Sequence, residues 1–134
     1  KLTQKLGLGG RVIFVGVIRG IDKYYNIKHA QMMVHMALWE SFCNVVHEGM
    51  SQGLPIIAAD NTALPLLVKN MKNGFCVATT NEKEVAEKIK FILNKNNKKL
   101  VSEIRKNNMD IALANSWTKT ATNMENFYKE ILKK

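Results

Sequence analysis

Three short apolar runs, Val12-Ile13-Phe14-Val15, Met32-Met33-Val34 and Pro55-Ile56-Ile57-Ala58-Ala59, restrict the folds open to this chain more than any other feature. Each has strand length, is apolar at successive positions instead of alternating, and is bounded by turn residues such as Gly10, Gly16, Gly53 and Asp60. A strand that is apolar on both sides needs cover on both sides, which is the condition of a parallel sheet. Helix-length stretches, Asp22 to Ala30 and Asn44 to Gln52, separate the runs, and a shorter one follows near Leu64 to Asn70. Phe75-Cys76-Val77, after the turn at Asn73-Gly74, is expected to add a fourth strand. Strands alternating with helices over short connections predict right-handed βαβ units, hence an α/β open parallel sheet with helices on both faces.

The second half changes character. Glu82 to Asn94 carries Val85, Ala86, Ile89, Ile92 and Leu93 at helical spacing behind a Thr80 or Asn81 cap. Asn97 to Ala114 gives a second helix and Trp117 to Leu132 a third, with Met124, Phe127, Tyr128 and Ile131 on one stripe. No repeat or Gly/Ser-rich linker interrupts this, so residues 1–134 read as one domain with a helical tail. At 134 residues the chain is too short to hold a cleft between two domains. No apolar run approaches the ~18 residues of a membrane-spanning helix, and no secretory signal follows Lys1. The chain is expected to be a piece of a longer protein. Cys43 and Cys76 lack any CxxC spacing, which argues against a zinc knuckle or redox dithiol and for a reducing compartment.

The net charge of +9 is unevenly placed: +2 over residues 1–67 and +7 over residues 68–134, most of it lysine. Lysines without interleaved aromatics are a weak nucleic-acid signal, so no nucleic-acid partner is expected. A solvated helical face explains them; the sharper alternative is peripheral contact with anionic lipid, at ~1 kcal/mol per lysine near the surface.

In such a sheet, ligands collect beyond the carboxyl ends of the strands, where helix N-termini present unpaired amides. Gly16 to Ile21, Ala37 to Asn44 and Asp60 to Leu64 are the connections that qualify. No GxGxxG follows the first run and no GxxxxGK[ST] occurs anywhere, which removes the ordinary dinucleotide and P-loop readings. What remains is the segment Leu38-Trp39-Glu40-Ser41-Phe42-Cys43-Asn44-Val45-Val46-His47-Glu48, followed by Gly53-Leu54-Pro55. It places one carboxylate in the loop before a helix and a second about one turn inside. The second would repel a phosphate but can accept two hydrogen bonds from a vicinal diol, while the amides ahead of it take phosphates. That division of labour fits a sugar nucleotide.

This segment, with Leu6-Gly7-Leu8, Arg11-Val12-Ile13-Phe14-Val15-Gly16, Asn73-Gly74-Phe75, Asn115-Ser116-Trp117 and Phe127-Tyr128, resembles the E-x7-E region and flanks of the GT-B glycosyltransferases of family 4 (group 1). The resemblance implies the C-terminal, Rossmann-like donor-binding half of a retaining enzyme that moves a sugar, hexosyl in type, from a UDP- or GDP-linked donor to a glycan or lipid-linked acceptor. It implies no bound metal and no further cofactor. Cytoplasmic placement, at most peripheral on the inner face of the membrane, and a bacterial cell-surface glycan pathway are the matching expectations. Glu40 would face the donor sugar at the reacting centre and Glu48 would hold the ribose hydroxyls. Ser41, Phe42, Cys43 and Asn44 would meet the diphosphate at the helix start. Val17, Ile18 and Arg19, after the first strand, would line the base, and Thr62 and Ala63 stand in the place of a glycine pair that approaches sugar or phosphate. The acceptor domain and a basic pair that neutralises the diphosphate would lie upstream of residue 1, with the 117–132 helix packing towards them, so residues 1–134 alone would bind nucleotide weakly and transfer nothing.

This chain departs from the pattern at Met36-Ala37 for Pro-Ser, at Cys43 and Ala63 for glycines, and at Leu66 for a sugar-binding glutamate. Two other readings therefore stand beside the enzyme: a non-catalytic relative, or a basic α/β adaptor for nucleic acid or membrane. His29, His35 and His47 share no spacing and are expected to be structural, His35 as a hydrogen-bonded histidine beside a buried strand. Cys43 has no evident paired base and is expected to be inert.

Overall fold

The computed structural model describes residues 1–133. In chain order the elements are α1 (Leu2–Lys5), α2 (Gly20–His29), β1 (Met33–His35), α3 (Asn44–Ser51), β2 (Ile56–Ala59), α4 (Leu64–Leu67), β3 (Gly74–Val77), α5 (Glu82–Leu93), α6 (Lys98–Ala114) and α7 (Trp117–Ile131), with a 3-10 turn at Lys95–Asn97. The strands form one parallel sheet in the order β1-β2-β3, with Ile57 opposite Val34 on one side and Phe75 on the other. This is the α/β architecture the strand and helix pattern predicts.

The uninterrupted apolar run of β2 is buried because it lies between two strands and two helical layers. On one face Ile56 and Ala58 pack with Val46 and Met50 of α3 and Leu64 of α4. On the other, Ile57 packs with Phe75 and Val77 of β3, Ile92 of α5, and Val101 and Ile104 of α6. Full burial of a side chain such as Ile57 contributes about 1.5–3 kcal/mol. Gly74 at the start of β3 lets the strands close up, since a Cβ there would overlap the Ile56 carbonyl oxygen. Buried Asn108 of α6 ties the layers together: its Nδ2 donates to the carbonyls of Leu54 (2.7 Å) and Asn73 (2.8 Å).

Side-chain caps open α5 and α7. Asn81 caps α5 by accepting from the Glu84 amide, and Ser116 caps α7 by accepting from that of Lys119.

The expectation of a strand at Val12 to Val15 is not met. Residues 12–19 run without helix or strand, and Ile13 and Phe14 are 80% and 82% exposed. Apolar composition is not sufficient for a strand, which also needs a hydrogen-bonding neighbour, and no described segment pairs with this one. β1 is accordingly the edge of the sheet, with Val34 half-uncovered. α7 is likewise uncovered: none of its residues is buried and Trp117 is 85% exposed. Among the described residues no helix is long and apolar enough to cross a membrane.

Candidate functional site

Because the sheet is parallel, the carboxyl ends of its three strands share one edge, and the loops leaving them converge. Asn61, just after β2, stitches them together: its Nδ2 donates to the Ala37 carbonyl (3.2 Å) in the loop after β1 and to Thr79 Oγ1 (3.1 Å) in the loop after β3. Thr62 and Ala63 reach the same place. The Glu40 amide donates to Thr62 Oγ1 (3.1 Å), and the Ala63 amide to the Glu40 carbonyl (3.4 Å). Thr62 holds φ +48°, a left-handed conformation that favours glycine. At Thr62 the backbone thus keeps a glycine-like shape, at the first position of the pair the resemblance set, whereas Ala63 is right-handed.

Glu40 lies half-buried in that loop, and His35, the last residue of β1, turns its ring onto it. His35 Nε2–H donates to Glu40 Oε1 at 3.0 Å, and Cys43 Sγ lies 3.2 Å from the same nitrogen. Cys43 is buried and precedes α3 in the left-handed region, at φ 61° and ψ 67°. Burial pushes its thiol above the ordinary value, and the Glu40 charge adds to the shift. No described side chain caps α3. The Val46 and His47 amides return to the Cys43 carbonyl (3.1 and 3.4 Å), while those of Asn44 and Val45 stand at the open helix start with its partial positive charge.

Glu48, one turn into α3, faces α2 and accepts from Lys23 Nζ at 2.6 Å through Oε1. That bond holds the half-buried lysine above its ordinary pKa. Glu48 lines a hollow of about 390 Å³ with Tyr24, Asn44, His47, Asn115 and Trp117. Phe42 stacks on His47, with centroids 4.8 Å apart and planes at 9°, and His47 Nδ1 is buried without a hydrogen-bond partner. A larger hollow of about 610 Å³ lies elsewhere, among Lys95, Lys98, Lys99 and Lys106 with Glu103, and neither Glu40 nor Glu48 lines it.

Of the residues singled out from sequence, the fold brings Glu40, Cys43, Thr62 and Ala63 into one hydrogen-bonded cluster, with Asn44 next to it as the first residue of α3 and Glu48 one turn further along that helix. Ser41 and Phe42 are exposed beside it. Val17, Ile18 and Arg19 stand apart: they lie in the extended stretch before α2, and no described hydrogen bond ties them to either glutamate. Leu66 lines a further hollow with Phe42, His47 and Lys69. His35 and Lys23 went unnoticed in the sequence as partners of the two glutamates. The available signal was position: His35 is the polar residue that ends an apolar strand on the ligand-binding edge.

A parallel three-layer domain with carboxylates at a helix start on its strand carboxyl edge defines a Rossmann-like half of the GT-B kind. The family model for glycosyl transferases group 1 matches residues 1–110, and the chain belongs to that family. Sucrose-phosphate synthase from Thermosynechococcus elongatus superposes with a TM-score of 0.87 at 27% identity, over 98% of this chain and 33% of that one. Anabaena HepE in complex with UDP-glucose gives 0.79 at 25% identity, over 95% and 35%. The uncharacterized glycosyltransferase MJ1607 of Methanocaldococcus jannaschii is 27% identical over 132 residues, 96% of this chain and 33% of that protein. The chain spans about a third of the length of these relatives.

Proposed function

We propose that this domain binds the nucleotide-sugar donor, UDP- or GDP-linked, of a retaining glycosyltransferase that glycosylates a glycan or lipid-linked acceptor at a bacterial cell surface from the cytoplasmic side. The observation that carries this is the placement of Glu40 and Glu48 on either side of an uncapped α3 N-terminus. The Asn44 and Val45 amides suit a diphosphate, with Ser41, Phe42 and Cys43 around it. Glu48, with Oε1 on Lys23, offers Oε2 to a ribose hydroxyl. Val17, Ile18 and Arg19 flank the base. UDP-glucose on HepE supports the donor class.

In this reading the acceptor hydroxyl attacks the anomeric carbon from the face the diphosphate leaves. The C–O electron pair departs with the nucleoside diphosphate, which also takes the acceptor's proton. Glu40 sets negative charge beside a carbon that acquires oxocarbenium character, an interaction stronger in the transition state than in the ground state. The chemistry asks for no metal and no further cofactor. The acceptor belongs to a second domain of the whole protein, towards which the α7 stripe packs, and residues 1–134 alone do not transfer. The lysines of α6 around the 610 Å³ hollow support a peripheral contact with anionic lipid.

Calorimetric titration with UDP, GDP and ADP tests the reading. One nucleotide is expected to bind selectively, and Glu48→Ala to weaken it by roughly 10- to 100-fold, the loss of a charged hydrogen bond. Salt-sensitive binding to any polyanion, indifferent to Glu48, would instead establish the adaptor.

A further inference from the structure

We propose that His35, Glu40 and Cys43 form a binding site for one zinc-type divalent cation. The three groups supply an imidazole nitrogen, a carboxylate oxygen and a thiol sulfur, and these atoms all lie within 4.8 Å of one another. Nitrogen, sulfur and oxygen together suit Zn²⁺, whereas Mg²⁺ and Ca²⁺ prefer oxygen alone. In a tetrahedral zinc site neighbouring N, O and S ligands stand roughly 3.3–3.6 Å apart. His35 Nε2 is 3.0 Å from Glu40 Oε1 and 3.2 Å from Cys43 Sγ, so these two pairs part by a few tenths of an ångström to admit an ion, while Glu40 and Cys43, within 4.8 Å of each other, adjust about it.

The ligands come from three backbone positions that are separately fixed. His35 is held in the β1 ladder opposite Ala58, Glu40 by the bonds to Thr62 and Ala63, and Cys43 by the two α3 amides on its carbonyl. The thiol is buried and the other two groups are about three-quarters shielded from water, which limits competition from solvent. Three protein ligands leave a fourth position open, as in exchangeable or catalytic sites and unlike closed structural ones. The site shares Glu40 and Cys43 with the proposed donor pocket and to that extent rests on that reading: a carboxylate bound to zinc is withdrawn from the sugar, so cation and donor sugar compete.

Titration of the 134-residue chain with Zn²⁺, and with Co²⁺ followed by absorbance, tests this. The expected result is one equivalent bound and a thiolate-to-cobalt charge-transfer band. Binding is expected to fall more than about tenfold in His35→Ala and in Cys43→Gly. Cys43→Gly keeps the fold testable, because glycine is at ease at φ 61°. Cys76→Ser is expected to leave the affinity and the band unchanged. A cobalt spectrum without the thiolate band, or an affinity that ignores Cys43→Gly, overturns the site. Repeating the UDP titration in parallel separates the two readings. Zinc bound through Cys43 with UDP bound nowhere leaves the metal site standing and removes the donor pocket. UDP bound through Glu48 without zinc at this cluster does the reverse.

Discussion

Val12-Ile13-Phe14-Val15 and Ile56-Ile57-Ala58-Ala59 are nearly interchangeable as patterns, four apolar residues between turns, yet their fates are opposite. The second is the middle strand of the sheet with Ile57 at 0% exposure; the first has no ladder partner and stands in water. The difference teaches that an apolar run states a demand for cover, and that neighbours decide whether it is met. The same holds for helices: α3 presses Val46 and Met50 into the core, while α7 carries an apolar stripe of which no residue is buried.

The largest effect should come from truncating one isoleucine in each run. Ile57→Ala should cost about 2–5 kcal/mol, by lost transfer energy plus a cavity, whereas Ile13→Ala should stay within about 0.5 kcal/mol. Urea denaturation of both variants checks this, and equal losses would mean that the first run is buried in solution. Next comes the tie between layers. Asn108→Ala leaves the Leu54 and Asn73 carbonyls buried and unpaired and should cost about 1–3 kcal/mol in the same assay.

The thiols sharpen the contrast through pH. Burial raises both Cys43 and Cys76 above the ordinary 9.0, with Glu40 and Asp60 adding to the respective shifts. A raised folded-state value means their contribution to stability is fully present below pH 9.0 and is lost as pH rises through the folded value. Denaturation midpoints of the chain and of a double Cys→Ser variant should therefore run parallel below that pH and diverge above it. Parallel curves throughout would show the thiols to be solvated. The smallest effect belongs to Cys43→Gly. Relief of about 1 kcal/mol of left-handed strain offsets the loss of a small buried side chain, for a net change within about 1 kcal/mol by thermal denaturation.

Much of the architecture was legible because apolar runs and caps act locally. The strands at Met33, Ile56 and Phe75, the Asn81 cap of α5, and α3 opening at Asn44 were all expected and all form. Glu40 and Glu48 could be singled out because a motif fixes their spacing along one loop and one helix. Their partners could not be found that way. Lys23 meets Glu48 from 25 residues away, and Thr62 meets the Glu40 amide from 22. His35 is only five residues from Glu40, but the turn that folds it back leaves no periodic trace.

By itself, the order of residues determined most of the element types, the parallel sheet and the helix that carries Glu48 behind the loop of Glu40, because these follow from periodicity, capping and the need to cover both sides of an apolar strand. Only the tertiary structure decided that Val12 to Val15 stays outside the sheet, and that His35, Glu40 and Cys43 converge on one point. Pairing and convergence depend on which backbone groups find partners across the fold, and that is a property of the assembled layers that no single segment carries.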